Sequence, residues 1–178
     1  MLRRSGRAND RVMPAVRHAS FAPHAAPDTR LLILGSLPGV RSLAERQYYA
    51  HPTNQFWRLL GEVVGQPLAD IPYDDRLVAL REAKVGLWDV IRSAERHTSS
   101  DSLIREAEAH DLAELIADLP DLRMIAFNGG KAAAIGRKQL PPIEGVALVD
   151  LPSSSAAHTI GFDAKLKHWL QLRTALAT

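Results

Sequence analysis

Four short apolar runs punctuate the chain, at 31–34 (LLIL), 85–90 (VGLWDV), 122–127 (LRMIAF) and 145–151 (GVALVDL). A run of this length stopped by a glycine, as 31–34 is by Gly35, suits a strand buried on both faces better than a helix. Between the runs lie longer stretches that read as helices, over 56–64, 75–84, 111–119, 131–140 and 163–176. Several open on Asn or Asp near the N-cap, whose side chains satisfy the first free amides. Pro120 and the Pro141-Pro142 pair mark helix ends, because proline cannot continue the backbone ladder. Strands alternating with helices predict an α/β protein built on a four-stranded parallel sheet.

Composition narrows this picture. A chain of 178 residues with 46% hydrophobic content can bury one core and is short for two domains. It holds no cysteine, which removes disulfides, thiolate metal sites and cysteine nucleophiles, and it has no apolar run long enough to cross a bilayer or serve as a signal peptide. A cytoplasmic monomer without membrane contact is the expectation. The net charge of +2 is unevenly placed: residues 1–30 carry six arginines against Asp10 and Asp28, leaving the remainder weakly acidic. Residues 1–28 are expected to be a flexible Arg-rich extension, and residues 29–178 a single domain.

In open parallel sheets, ligands bind beyond the carboxyl ends of the strands, so four loops carry the candidate chemistry. The first holds Gly35, Ser36, Leu37, Pro38 and Gly39 (GSLPG), a turn in which glycines let backbone amides approach a ligand closely. Downstream of it, YYAHPTNQFW packs Tyr48, Tyr49, His51, Asn54, Phe56 and Trp57 into one segment of an aromatic-poor chain. Aromatic faces stack on nucleobases, and an amide beside them orients water or reads a base edge. Phe56 and Trp57 also fit the core of the following helix. Asp89 and Asn128 stand at the ends of the second and third runs. Asn128-Gly-Gly-Lys131 is no P-loop, since Ile125 and Ala132 occupy positions that require Gly and Ser/Thr, yet glycines at a helix start expose amides to phosphate and Lys131 adds charge. The last loop, LPSSSAAHT, offers Ser153, Ser154, Ser155 and His158, groups suited to a DNA backbone. No G-x-S-x-G elbow surrounds the serines, which argues against a serine hydrolase, and the histidines lack HExxH or HxH spacing, which argues against a metal site.

The ordered set GSLPG, YYAHPTNQFW, GLWDVI, AFNGGKA and LPSSSAAHT, spread over residues 31–169, resembles the uracil-DNA glycosylase superfamily and most closely its hypoxanthine-DNA (deoxyinosine) glycosylase branch. The resemblance implies a three-layer α/β/α sandwich around the four-stranded parallel sheet, and a cofactor-free enzyme acting on double-stranded DNA that contains a deaminated base. In many members the third residue of the first motif is an Asp or Asn that activates water. Here it is Leu37, and the resemblance shifts that role to Asn54, with Ser36 as the second catalytic candidate. The base pocket is then expected from Gly35, Leu37, Pro38, Gly39, Tyr48, Tyr49, His51, Phe56, Asp89 and Asn128. DNA contacts are expected from Lys131, Ser153, Ser154, Ser155 and His158. A carboxylate at Asp89 accepts from N1–H of hypoxanthine and equally from N3–H of uracil. Leu151 stands where uracil enzymes commonly carry histidine, and His158 where the branch usually carries asparagine. The resulting expectation is monofunctional hydrolysis of a flipped-out hypoxanthine nucleotide. Uracil or mismatch excision and a noncatalytic binding module are the alternatives.

Overall fold

The computed structural model describes residues 16–96 and 105–178. In its first half the elements are β1 (Val16–Ala19), β2 (Leu31–Gly35), α1 (Val40–Glu45), α2 (Phe56–Val64), α3 (Tyr73–Glu82), β3 (Val85–Asp89) and β4 (Ile91–Arg96). There follow β5 (Arg105–Ala109), α4 (Leu112–Ala117), β6 (Met124–Asn128), α5 (Gly130–Gln139), β7 (Ala147–Leu151), α6 (Phe162–Trp169) and α7 (Arg173–Leu176).

The four expected strands form one parallel sheet in the order β3-β2-β6-β7. Strand alternation divides the β2 side chains between two cores. Leu31 and Ile33 pack with Val85, Leu87 and Met124 against α2, α3 and the C-terminal helices, while Leu32 and Leu34 pack with Trp88, Ile125 and Phe127 against α4 and α5. All four of these β2 residues are fully buried, each contributing about 1.5–3 kcal/mol. Helices on both faces make the expected three-layer α/β/α sandwich. The register aligns Gly35 with Asp89 and Asn128 with Leu151, so the strand ends finish together at one edge of the sheet.

Element bounds shift where local geometry competes with pattern. The third strand starts at Met124 because Leu122 still donates to Leu119 O in the turn that ends the α4 region. The fourth starts at Ala147, after Gly145 (φ 75°) and a bond from Val146 N to Ile143 O. The long helix expected over 163–176 is α6, a 3₁₀ turn at Leu170–Leu172 and α7.

A second sheet, antiparallel in the order β1-β4-β5, was not expected. Its first strand lies before the boundary expected at residue 28. Residues 1–15 lie outside the described residues, but Val16–Ala19 pairs with β4, and His24 exchanges two backbone hydrogen bonds with Leu87. Asp28 pairs with Lys84. The segment from 16 onward is thus hydrogen-bonded to the rest of the described fold, with β1 pairing one edge of β4 and β5 the other. Its surface face carries Arg17–Glu108 and Arg92–Glu108 ion pairs at 2.6 and 2.9 Å, exposed contacts that solvent screens.

The small sheet is seated by an aromatic contact. His110 lies against Trp88 with ring centroids 3.9 Å apart, and its Nε2 is 2.5 Å from Ser20 Oγ. Trp88 Nε1 donates to Phe21 O at 2.9 Å. Burial, aided by the Arg92 charge, lowers the His110 imidazole to about 4. His110 thus stays neutral in the fold where the unfolded chain, with an ordinary value of 6.5, is protonated. This group's contribution is complete above the unfolded value and is lost as the pH falls toward 4. Urea midpoints are expected to drop between about pH 7 and about pH 5, and to drop less in His110→Gln; equal drops in the two proteins would contradict this role.

Candidate active site

The aligned strand ends open into a cavity of about 580 Å³. Its walls come from the GSLPG turn, the Tyr48 segment, Asp89, the start of α5 and the serine loop after β7.

The turn is held from below. Val90 and Ile91 N–H donate to the carbonyls of Gly35 and Ser36 at 2.8 and 3.0 Å, which bends the chain away after β3. Gly35 is required by crowding: a Cβ there would lie 2.8 Å from both Asp89 Oδ1 and Tyr49 Oη. Those two polar atoms therefore converge on one backbone position. Asp89 is only 3% exposed. Ser36 is buried in the wall. Leu37 borders the cavity but packs its side chain into the core shared by Leu34 and Phe127. Pro38 and Gly39 complete the wall, with Gly39 at the N-cap of α1.

Every polar atom of Tyr48 is engaged in scaffolding. Its N–H donates to Tyr73 Oη, its carbonyl accepts from Trp57 Nε1, and its hydroxyl donates to Ala22 O, at 3.0, 3.1 and 3.1 Å. Burial, with the nearby Asp89 charge, pushes the phenol far above its ordinary range. Tyr48 is thus a neutral wall. Tyr49 adopts a left-handed backbone (φ 54°) costing about 1 kcal/mol or more, and lays its ring on Phe56 with centroids 3.7 Å apart and planes at 11°. Phe56, expected in the pocket, is fully buried beneath Tyr49, because it opens α2 and faces the core. His51 stands exposed at the rim. Asn54 lies half-buried in the wall, its Oδ1 accepting from Phe56 N–H, the first amide of α2, at 3.0 Å.

Across the cavity Asn128 clasps Ser154 at two points. Oδ1 accepts from Ser154 N–H and Nδ2 donates to Ser154 Oγ, both at 2.9 Å. Ser154 is 1% exposed, so its hydroxyl braces the loop and is not presented to a DNA backbone. Ser153 and Ser155 line the cavity with hydroxyls that accept from Ser155 and Ala157 N–H. His158 lies exposed beside them. Gly129 (φ 101°) and Gly130 begin α5, and the open space around Gly130 leaves the first turn of this helix and Lys131 bordering the cavity. A helix N-terminus here favours an anion.

Pattern reading missed Arg41, Ser42, Thr53, Ala156 and Ala157. Ser42 Oγ accepts from Ala50 N–H at 3.0 Å and ties α1 to the Tyr48 segment. The i,i+4 pair Arg41/Glu45, 2.7 Å apart, was the one signal of that helix. Among the described residues no group of three or more His, Asp and Glu side chains is placed to hold a metal.

A carboxylate, a carboxamide and a tyrosine ring line, together with the N-terminus of α5, a crevice at the carboxyl ends of parallel strands, the place where open α/β proteins bind their ligands. The family model described as "Uracil DNA glycosylase superfamily" matches residues 22–174, and the chain belongs to that superfamily. It is 42% identical over 117 residues to a hypoxanthine DNA glycosylase of Methanosarcina barkeri, covering 66% of this chain and 74% of that protein. It is 41% identical over 133 residues to one of Methanosarcina acetivorans, covering 74% and 82%. The solution NMR structure of a Methanosarcina acetivorans protein provisionally described as a uracil DNA glycosylase superposes with a TM-score of 0.79 at 35% identity, over 91% of this chain and 100% of that one. The chain is accordingly a DNA glycosylase, a hydrolase of N-glycosidic bonds.

The crowding at Gly35 yields a direct test. Gly35→Ala must displace Asp89 or Tyr49, and kcat/KM for base release is expected to fall more than about tenfold, as misplacement of catalytic geometry does. Activity within about twofold of wild type in a folded variant would show that this close approach is dispensable.

Proposed function

We propose that the enzyme acts as a cytoplasmic monomer on double-stranded DNA and releases hypoxanthine from a deoxyinosine flipped out of the helix. The observation that carries this reading is the pairing of Leu37 with Asn54. The turn that commonly supplies a polar side chain has an apolar one packed in the core, while Asn54 is pinned in the wall by the N-terminal amide of α2. A carbonyl oxygen has two lone pairs, so Oδ1, bonded to Phe56 N–H, still accepts from a water molecule. Asn54 is thereby oriented without rotamer freedom, as a residue that positions attacking water must be.

The other roles follow from where charge develops. Rupture of the glycosidic bond builds positive charge on the sugar and negative charge on the departing base, so fixed dipoles lower the barrier. Asp89 accepts from N1–H of hypoxanthine, Tyr49 supplies a stacking plane already backed by Phe56, and Ser36 borders the same wall. The cavity volume falls within the roughly 300–1,000 Å³ usual for small-molecule sites. Lys131, the start of α5, Ser153, Ser155 and His158 hold the flanking phosphates, with Ser154 and Asn128 bracing them from behind. Opening the duplex is least costly where the base is mispaired, which gives selectivity its first step. The names of the two Methanosarcina relatives support the choice of base. Uracil is the competing substrate, because Asp89 would accept from its N3–H in the same way.

Matched duplexes carrying a single hypoxanthine, uracil or xanthine test the reading through alkali-labile site formation. Release is expected to be fastest from the hypoxanthine duplex, and Asn54→Ala is expected to lower kcat by about 10²–10³. Faster release of uracil overturns the substrate, unchanged turnover in Asn54→Ala overturns the site, and binding without release by the wild type overturns catalysis.

A further inference from the structure

One side chain on the cavity rim has its hydrogen-bonding state determined by a neighbour. His51 Nδ1 lies 3.2 Å from Thr53 N and 2.8 Å from Thr53 Oγ1. A backbone N–H only donates, so Nδ1 must present its lone pair, and the proton of the neutral ring then sits on Nε2. The local backbone makes this arrangement persistent. Asn54 N–H donates to His51 O at 2.9 Å, closing a tight turn in which Pro52 pre-sets the chain and Thr53 is carried back toward the imidazole. His51, Thr53 and Asn54 all line the cavity.

We infer that Thr53 is a positioning residue that holds His51 in the Nε2–H tautomer, making that ring a fixed donor to an acceptor oxygen of the flipped nucleotide. The exposed rim position of His51 favours a phosphate oxygen over one on the base. A side-chain donor to phosphate fixes the register of the nucleotide, which is what most polar contacts in protein–DNA complexes do. The rim donor and Asn54 are opposite ends of one turn, so engagement of the backbone by His51 and orientation of water by Asn54 are mechanically linked. This inference rests on the base-release reading, but its central statement concerns the free protein.

The test therefore begins without substrate. Histidine-selective ¹⁵N NMR of the full chain is expected to show His51 as the Nε2–H tautomer in wild type and Thr53→Ser, and a partial gain of the Nδ1–H tautomer in Thr53→Val, which keeps the 3.2 Å backbone contact but loses the shorter hydroxyl contact at 2.8 Å. An Nδ1–H tautomer in the wild type overturns the inference whether or not the enzyme releases hypoxanthine. In base-release assays Thr53→Val is expected to raise KM about fivefold, the effect of one ordinary hydrogen bond, with Thr53→Ser within about twofold of wild type. His51→Ala is expected to raise KM further, and adding Thr53→Val to it is expected to change nothing more, since Thr53 acts through the ring. Additive losses overturn the coupling, and a loss confined to kcat overturns the phosphate assignment in favour of a base oxygen. Both positions are exposed, and melting temperatures of the variants confirm that each assay reads folded protein.

Discussion

The two hydrogen bonds between Asn128 and Ser154 couple parts of the cavity that the sheet alone leaves independent. Asn128 ends β6, whereas Ser154 sits in the loop after β7, and their carboxamide-to-backbone clasp makes that loop a continuation of the sheet edge. Ser154 O then accepts from Gln55 N–H at 3.0 Å, carrying the connection to the start of α2. Asn54 Oδ1 accepts from the first amide of the same helix. Buried or half-buried hydrogen bonds thus link the serine loop after β7 to the segment that carries Asn54. Satisfied networks of this kind specify geometry strongly, and a missing member leaves buried groups exposed to the full desolvation penalty.

The same loop is supported from its far side by a buried charge. Lys165, on α6, is 1% exposed and donates to Ser155 O at 2.9 Å. Burial lowers its pKa, as expected for an ammonium removed from water. With Asn128 beneath, Lys165 behind and Gln55 alongside, the backbone from Ser153 to His158 is held on three sides, while Ser153 and Ser155 stay directed to the cavity. Gly129 completes the fit, because a Cβ there would lie 3.1 Å from Ser153 Cβ. Rigidity in a loop that lines a binding cavity reduces the ordering cost of binding, which is where much affinity is otherwise lost.

How much of this was legible in the sequence follows from what each residue type reveals about its surroundings. The parallel strands were legible because burial on both faces demands continuous apolar residues, as in 31–34. The small sheet was not, since Arg17, Ser93 and Glu108 face water and its pairing depends on segments far apart in the chain. The four strand-end loops were legible from the rule that ligands sit beyond carboxyl ends, and nearly all the expected residues border one cavity. Composition could not separate a residue that faces the cavity from one that braces it. Phe56 and Tyr49 are both aromatic, yet only Tyr49 borders the cavity, and Ser154 differs from Ser153 and Ser155 only in the partner that a folded β6 supplies. Thr53 was missed for a related reason: its significance lies in the ring it touches two residues away.

The position of Leu37 bears on the proposal that Asn54 orients the attacking water. A polar side chain at that point of the turn would face Leu34, Phe127 and the rest of an apolar cluster, where it would need a partner that the surrounding residues do not provide. Leu37 instead extends the apolar cluster to the cavity it borders. On the proposed mechanism water is oriented by Asn54 instead, whose carboxamide oxygen already holds the first amide of α2. The strained Tyr49 backbone is consistent with this arrangement. Its left-handed conformation lets the ring reach Phe56 while its hydroxyl approaches Gly35 and Asp89, so strain stored in one residue sets both the stacking plane and the polar edge of the pocket.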